Sequence, residues 1–169
     1  FFKLRFFLER LPIRALNHAK CALLSSIVNF DRDFESGIIA KTLSNSLDYN
    51  VDGLFNFRLR SLKEAWSEIA DVASRLLEGS SGDTDIYDIA SFIAGTDGGK
   101  NQICVERNRL KNLTERHFVE VVNLFDAEEY NILSAIIKEK PCEIVIENNS
   151  FSTPMNSTLR HIARVIEKS

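Results

Sequence analysis

The stretch EEYNILSAIIKEKPCEIVIE, residues 128–147, contains both kinds of secondary structure on which the fold depends. Its first half repeats apolar residues at the spacing of a helical face, namely Tyr130, Leu133, Ile136 and Ile137. Pro141 cannot continue a helix, and the following CEIVIE is a short β-branched segment that places Ile144 and Ile146 on one face. The stretch therefore predicts a helix that leads directly into a strand.

The flanks of this stretch carry capping signals. Asp126 is expected to cap the helix, with Glu129 at the third helical position completing a capping box. Downstream, Thr153 is expected to cap a last helix that has Pro154 at its first position and runs through Ile166.

Residues 1–97 are predicted to be mainly helical. Pro12 splits the first 30 residues into two helices, and an apolar stripe then predicts one long helix from Asp52 to Glu78. The stripe steps by three and four through Phe55, Leu59, Leu62, Trp66, Ile69, Ala73 and Leu76. We expect this helix to be a central core helix packed by its own chain. A homodimeric coiled coil is the alternative.

Residues 98–169 are predicted to form a smaller α/β part. Gln102–Glu106 and Phe118–Val122 are predicted as paired strands joined by a long polar connection at 107–116. A helical interpretation of residues 110–124 remains open. Helices first, then a small sheet with interleaved helices, predict an α+β fold in a single domain, 1–169.

Composition sets broad limits on function. The 169 residues are 44% hydrophobic and 27% charged with a net charge of −3, values typical of a soluble globular protein that give no global indication of nucleic-acid binding. Three cysteines without a C-x-x-C pair favour reduced thiols, so we expect a cytoplasmic protein. Because the chain begins at Phe1 rather than Met, we expect residues upstream.

Charge is distributed unevenly along the chain. Residues 1–30 carry five positive charges and one negative, whereas residues 31–100 carry seven positive and thirteen negative. The basic segment is expected to dock on its acidic neighbour within the chain. Peripheral association with an anionic membrane through Lys3, Arg5, Arg10 and Arg14 is the less favoured alternative.

Motifs for catalysis or cofactor binding are weak. The string AGTDGGKN at 94–101 lacks the first glycine and the final Ser/Thr of a phosphate-binding loop. His18, His117 and His161 have no zinc spacing, and a Cys104 or Cys142 pair with His117 is no more than a possible combination. We therefore predict no catalytic residue, no metal and no cofactor.

The start of the long predicted helix supplies the candidate binding residues. Asp52, Asn56, Arg58 and Arg60 cluster there in sequence. Arg58 can reach back to the carboxylate of Asp52 in an internal ion pair, or its guanidinium can bind an anion or a carboxylate.

Two segments resemble one known family. VDGLFNFRL at 51–59 resembles the D-G-F-x-x-F-R-L signature of the YtxC-like sporulation proteins of endospore-forming bacteria, and 128–148 resembles that family's closing helix, proline and strand. The resemblance spans roughly residues 35 to 166. It implies a cytoplasmic, sporulation-associated protein with no activity to assign, in which Asp52, Gly53, Phe55, Phe57 and Arg58 match the signature.

These observations give a functional hypothesis and its alternative. The favoured hypothesis is a non-enzymatic module that binds another protein or itself. The alternative is an enzyme or small-ligand binder with a pocket between the helical half and the sheet.

Overall fold

The computed structural model describes residues 2–44, 53, 59–94 and 99–168. Within these ranges the helices dominate before residue 95 and a sheet follows, so the predicted α+β class is confirmed. The helices are α1 (Phe2–Arg10), α2 (His18–Asn29), α3 (Arg32–Ser44), α4 (Arg60–Gly79), α5 (Asp83–Ala94), α6 (Glu128–Lys138) and α7 (Thr153–Ile162). The strands are β1 (Asn101–Glu106), β2 (Arg109–Asn112), β3 (His117–Val119), β4 (Pro141–Glu147) and β5 (Arg164–Lys168).

The chain divides into two compact units. The first, which we call the sheet unit, contains residues 13–30 and 80–169, and the second, the helical unit, contains residues 2–12 and 31–79. The predicted helical part, 1–97, therefore contributes to both units.

The five strands of the sheet unit are ordered β3-β2-β1-β4-β5. Strands β1, β2 and β3 form an antiparallel meander, whereas β4 runs parallel to β1 and β5 parallel to β4. The inward face of the sheet supplies Ile103, Val105, Leu110, Ile144 and Ile146 to the core. Helix α2 packs against α5 and α6. It is buried on all sides, since every residue from Ala19 to Ile27 is buried except Lys20, which is partly exposed.

The hairpin between β1 and β2 corrects the sequence prediction for this region. Arg107 and Asn108 have φ of 48° and 62°, the left-handed conformations that a two-residue type I′ turn requires. The predicted long connection at 107–116 therefore contains a turn and a strand, and β3 pairs with β2 rather than with β1. The open helical interpretation of 110–124 is also wrong, because β2 and β3 occupy part of it.

The C-terminal prediction places the helix start one residue too late and the helix end four residues too late. Pro154 lies in the first turn of α7, but Ser152 is the N-cap, since its side chain accepts a hydrogen bond from the Met155 N–H. The helix ends at Ile162, and Val165 and Ile166 pair with β4 instead. The hydrogen-bonding groups on the free side of β4 stabilise these β-branched residues as a strand.

The predicted capping box at α6 is absent. Ala127 is the N-cap and has no side-chain hydrogen bond, so Asp126 does not cap the helix. Glu129 instead contacts residues distant in sequence, as described below.

The helical unit brings α1, α3 and α4 together. Its buried apolar residues include Leu4, Phe6, Phe7, Leu59, Leu62 and Trp66. Helix α4 begins at Arg60, because the Lys63 N–H donates to the Leu59 carbonyl and Leu59 itself lies in a bend. The predicted uninterrupted helix from Asp52 is therefore wrong at Leu59, and Asp52 itself lies outside the described residues. The apolar stripe is buried at Leu62 and Trp66 but 41% exposed at Leu76.

Candidate functional site

The four residues singled out from the sequence are only partly placed by the structure. Asp52, Asn56 and Arg58 lie outside the described residues. Arg60 opens α4, and its Nε donates to Glu64 Oε1 at 2.9 Å across one helical turn, with both side chains exposed. Such a surface pair stabilises a helix by a few tenths of a kcal/mol, about 0.3–0.5.

A buried ion pair occupies the centre of the helical unit. Lys3 Nζ lies 2.8 and 2.9 Å from the two carboxylate oxygens of Glu35, and the Trp66 indole donates to Glu35 Oε1 at 2.7 Å. Burial lowers the pKa of Lys3, although the hydrogen bond and charge of Glu35 oppose this. The cluster connects α1, α3 and α4, so we assign it to stability. It also removes Lys3 from the basic surface that membrane association would use.

A second carboxylate connects three segments of the sheet unit. Glu129 on α6 accepts hydrogen bonds from the backbone N–H and hydroxyl of Ser152, at 2.7 and 2.6 Å, and its Oε2 lies 3.0 Å from His18 Nε2. Burial alone would raise the pKa of Glu129, but the hydrogen bonds from Ser152 and His18 outweigh it and the pKa is lowered. Since the Ser152 hydroxyl also caps α7, Glu129 positions the start of that helix.

Thiol chemistry is poorly supported. Cys21 is fully buried, which raises the pKa of its thiol to about 12. Cys142 is exposed and donates to the Asn101 carbonyl. The described ion pairs of His117 are with the carboxylates of Glu115 and Glu139, and no described contact joins it to Cys104 or Cys142.

A shallow open groove lies along α7. Its lining residues share one face of that helix: Thr153, Asn156, Ser157, Arg160 and His161. A groove lined by one helix face encloses a small molecule poorly, since ligand pockets bury most of the ligand surface. His161 is also stacked on Tyr87, with ring centroids 4.6 Å apart, and this fixes one side of the groove.

The outward face of the sheet carries a continuous row of side chains, one from each strand. The registers align Phe118, Lys111, Cys104, Val145 and Ile166 across β3, β2, β1, β4 and β5. We call this the central row. Phe118 is 73% exposed and Lys111 is exposed, whereas Val145 in the middle is buried.

Charged side chains flank the central row. On one side Lys168 Nζ lies 3.1 Å from Glu147 Oε1, and on the other Arg164 Nη1 lies 3.9 Å from Glu143 Oε2. Partial burial, together with the nearby Glu147 and Glu106 carboxylates, raises the pKa of Cys104. The central row is thus apolar except at Lys111, ends in an exposed aromatic side chain, and lies between mixed charges.

A cluster of potential metal ligands lies on the opposite face of the sheet, at the start of β3. Three potential ligand atoms lie within 4.8 Å of one another, one each from Glu115, His117 and Glu139. His117 Nε2 is 3.4 Å from Glu139 Oε2, and His117 Nδ1 is 3.6 Å from Glu115 Oε2. We call these three residues the Glu–His–Glu cluster.

Sequence reasoning missed both of these features for the same reason. The central row depends on strand registers, and the Glu–His–Glu cluster depends on the β2–β3 turn and on the end of α6. The motif Glu115-x-His117 is a signal in the sequence, but Glu139 lies 24 residues further along.

Comparison with known proteins returned no family model, no curated protein and no solved structure that matches this chain. Within the described ranges, every helix is too short or too polar to cross a membrane.

Proposed function

We propose that this protein is a non-enzymatic, self-associating module in which the outward sheet faces of two copies pack against each other. The observation that supports this is the central row, which crosses all five strands and ends in a Phe118 side chain that is 73% exposed. An exposed phenylalanine in line with further apolar side chains is typical of an interaction surface, whereas a scattered one is ordinary. Lys111 lies between Phe118 and the apolar members Cys104, Val145 and Ile166.

The charges on the outward sheet face favour a second copy of this chain as the partner that covers it. A two-fold axis along β1 reverses the strand order between the facing sheets, so that β2 of one copy faces β4 of the other. Phe118 then faces Ile166, and Arg109 faces Glu147. An axis across the strands would instead place Glu143 on Glu147. The first arrangement also places Glu106 opposite Glu106 of the other copy, on the axis, but it joins Arg109 to Glu147 twice. The second joins the like charges of Glu143 and Glu147 twice. We therefore choose the first arrangement.

The area of the outward sheet face determines how strong a dimer we expect. Five strands about 4.8 Å apart and five residues per strand at about 3.3 Å give a footprint of roughly 400 Å² per copy. Standard interfaces bury about 800 Å² per partner. We therefore expect a weak, concentration-dependent dimer.

Sedimentation velocity over a range of protein concentrations tests this proposal. Burying one phenylalanine contributes about 1.5–3 kcal/mol, so Phe118→Ser, which acts on both copies, should weaken the dimer by about 100-fold or more. Phe92→Ser is the matched control, because Phe92 is 83% exposed on α5, away from the sheet face. A wild-type protein that stays monomeric at millimolar concentration, or equal weakening by both variants, would contradict the proposal.

The cellular setting that we propose is sporulation, in the cytoplasm. Its support is the resemblance of residues 51–59 and 128–148 to the YtxC-like family. Transcript levels in the native host should rise when sporulation begins, whereas unchanged levels through growth and sporulation would refute this setting.

A further inference from the structure

We propose that Glu115, His117 and Glu139 bind one divalent transition-metal ion, with Zn²⁺ as the reference ion. Three potential ligand atoms within 4.8 Å of one another approach the spacing that a tetrahedral site needs. Metal–ligand bonds of about 2.0–2.1 Å place neighbouring ligands roughly 3.4 Å apart. The exposed Glu115 and His117 side chains can rotate to close the remaining distance.

The residue that organises this cluster is Asn112, which is completely buried. Its Nδ2 donates to Glu139 Oε2 at 2.9 Å, and its Oδ1 accepts from the Glu115 backbone N–H at 2.9 Å. The strand register also places Asn112 directly opposite His117. The buried amide thus holds the Glu139 carboxylate and the Glu115 backbone, as the outer hydrogen bonds of metal sites do, and strand pairing places His117 beside them.

The position of Glu139 is the second, independent argument. Glu139 is the C-cap residue of α6, and its side chain is only 10% exposed. The C-terminal end of a helix carries partial negative charge, so a carboxylate held there is unfavourable without a cation. Glu115 adds a second carboxylate to the same place. A bound dication would compensate both carboxylates together with the helix end.

The donor set selects the class of ion. One imidazole nitrogen with two carboxylate oxygens suits Zn²⁺ and neighbouring transition metals, whereas Mg²⁺ and Ca²⁺ prefer oxygen alone. Because His117 and Glu115 are exposed, we expect water to complete the coordination of a bound ion. The cluster lies on the face of the sheet opposite the central row, so this inference does not depend on the proposed self-association.

Competition titration of Zn²⁺ against a chromophoric chelator tests the site. All measurements use a parent protein that carries Cys104→Ser and Cys142→Ser, so that accessible thiols do not compete for Zn²⁺. The variants below are made in this parent. We expect one Zn²⁺ per chain and a higher melting temperature in its presence. His117→Gln and Glu139→Gln should each weaken binding at least tenfold, while Gln at 139 can still accept the hydrogen bond from Asn112.

Matched controls separate this site from surface binding of zinc. His161→Gln removes an imidazole elsewhere, and Glu120→Gln removes an exposed carboxylate near β3. Both should bind Zn²⁺ as the parent does. The proposal is overturned if the parent binds no Zn²⁺ at 1:1, if the controls weaken binding as much as the ligand variants, or if Mg²⁺ competes equally with Zn²⁺. Melting temperatures without metal establish that each variant is folded.

Discussion

The substitution Glu35→Gln tests how the helical unit is held together. It removes the charge from the Lys3–Glu35 pair but leaves an amide oxygen that can accept the Trp66 hydrogen bond. Removing one partner of a buried ion pair costs about 3–5 kcal/mol, since the other charge stays buried. The charge of Asp31 also acts on Lys3, so we expect the lower end of this range.

Trp66 makes this prediction directly measurable. It is the single tryptophan of the chain and lies in the cluster, so its fluorescence in a urea titration reports unfolding of the helical unit. Glu64→Gln is the matched control, because the Arg60–Glu64 pair on α4 is exposed and should contribute less than about 0.5 kcal/mol. A second variant, Lys3→Met with Glu35→Gln, should recover much of the lost stability, since no buried charge remains.

The pH dependence of the free energy of unfolding tests the same prediction independently. Burial lowers the pKa of Lys3 below its usual value of 10.5, so the unfolded chain binds more protons just below that pH and stability rises with pH there. Without the charge of Glu35 the pKa of Lys3 falls further, so the free energy of unfolding increases more steeply with pH. The difference in free energy of unfolding between wild type and Glu35→Gln should therefore become smaller as the pH approaches 10.5. Equal losses in Glu35→Gln and Glu64→Gln at pH 7 would refute the reasoning.

Two further substitutions test the sheet unit. Gly99→Ala would place a Cβ 2.5 Å from the Lys140 carbonyl oxygen, so it should lower the free energy of unfolding by about 1–3 kcal/mol, whereas Gly82→Ala meets nothing within 4 Å and should be nearly neutral in a thermal melt. Glu129→Gln should cost about 1.5–3 kcal/mol at pH 7, because the charged hydrogen bonds from Ser152 are weakened. Since the pKa of Glu129 is lowered by folding, the wild-type advantage is complete above 4.5, the usual pKa of this carboxyl, and should decline in urea titrations as the pH falls below that value.

Local patterns predicted the elements whose signals are contained in one short segment. The apolar spacing before Pro141 and the β-branched segment after it correctly predicted α6 and β4, because helix periodicity and proline act within a few residues. Pro12 likewise separates α1 from α2 as predicted.

Elements that depend on pairing partners were predicted wrongly. Strand β2 was missed because its turn uses Arg107 and Asn108, not the Asn-Gly pair by which such turns are usually recognised. Strand β5 was assigned to a helix because Val165 and Ile166 also fit a helical spacing. Their neighbour β4 is a tertiary feature that the sequence pattern does not contain.

The candidate sites were the least predictable part. Asp126 and Glu129 have the sequence of a capping box, yet Glu129 bonds to Ser152, which lies 23 residues away. The Glu–His–Glu cluster also requires a strand register and a helix end to meet. Asp52, Asn56 and Arg58 lie outside the described residues and stay a prediction.

The central claim, that two outward sheet faces pack together, is tested most directly by cross-linking at Cys104. Facing sheets lie about 10 Å apart, and the proposed two-fold axis along β1 places the two Cys104 side chains opposite each other. A short bismaleimide should therefore link two copies of the Cys142→Ser protein, since Cys21 is buried with a thiol pKa of about 12. We expect a covalent dimer that Phe118→Ser abolishes and Phe92→Ser does not. The claim would be contradicted if no dimer forms although Cys104 reacts with a monofunctional maleimide.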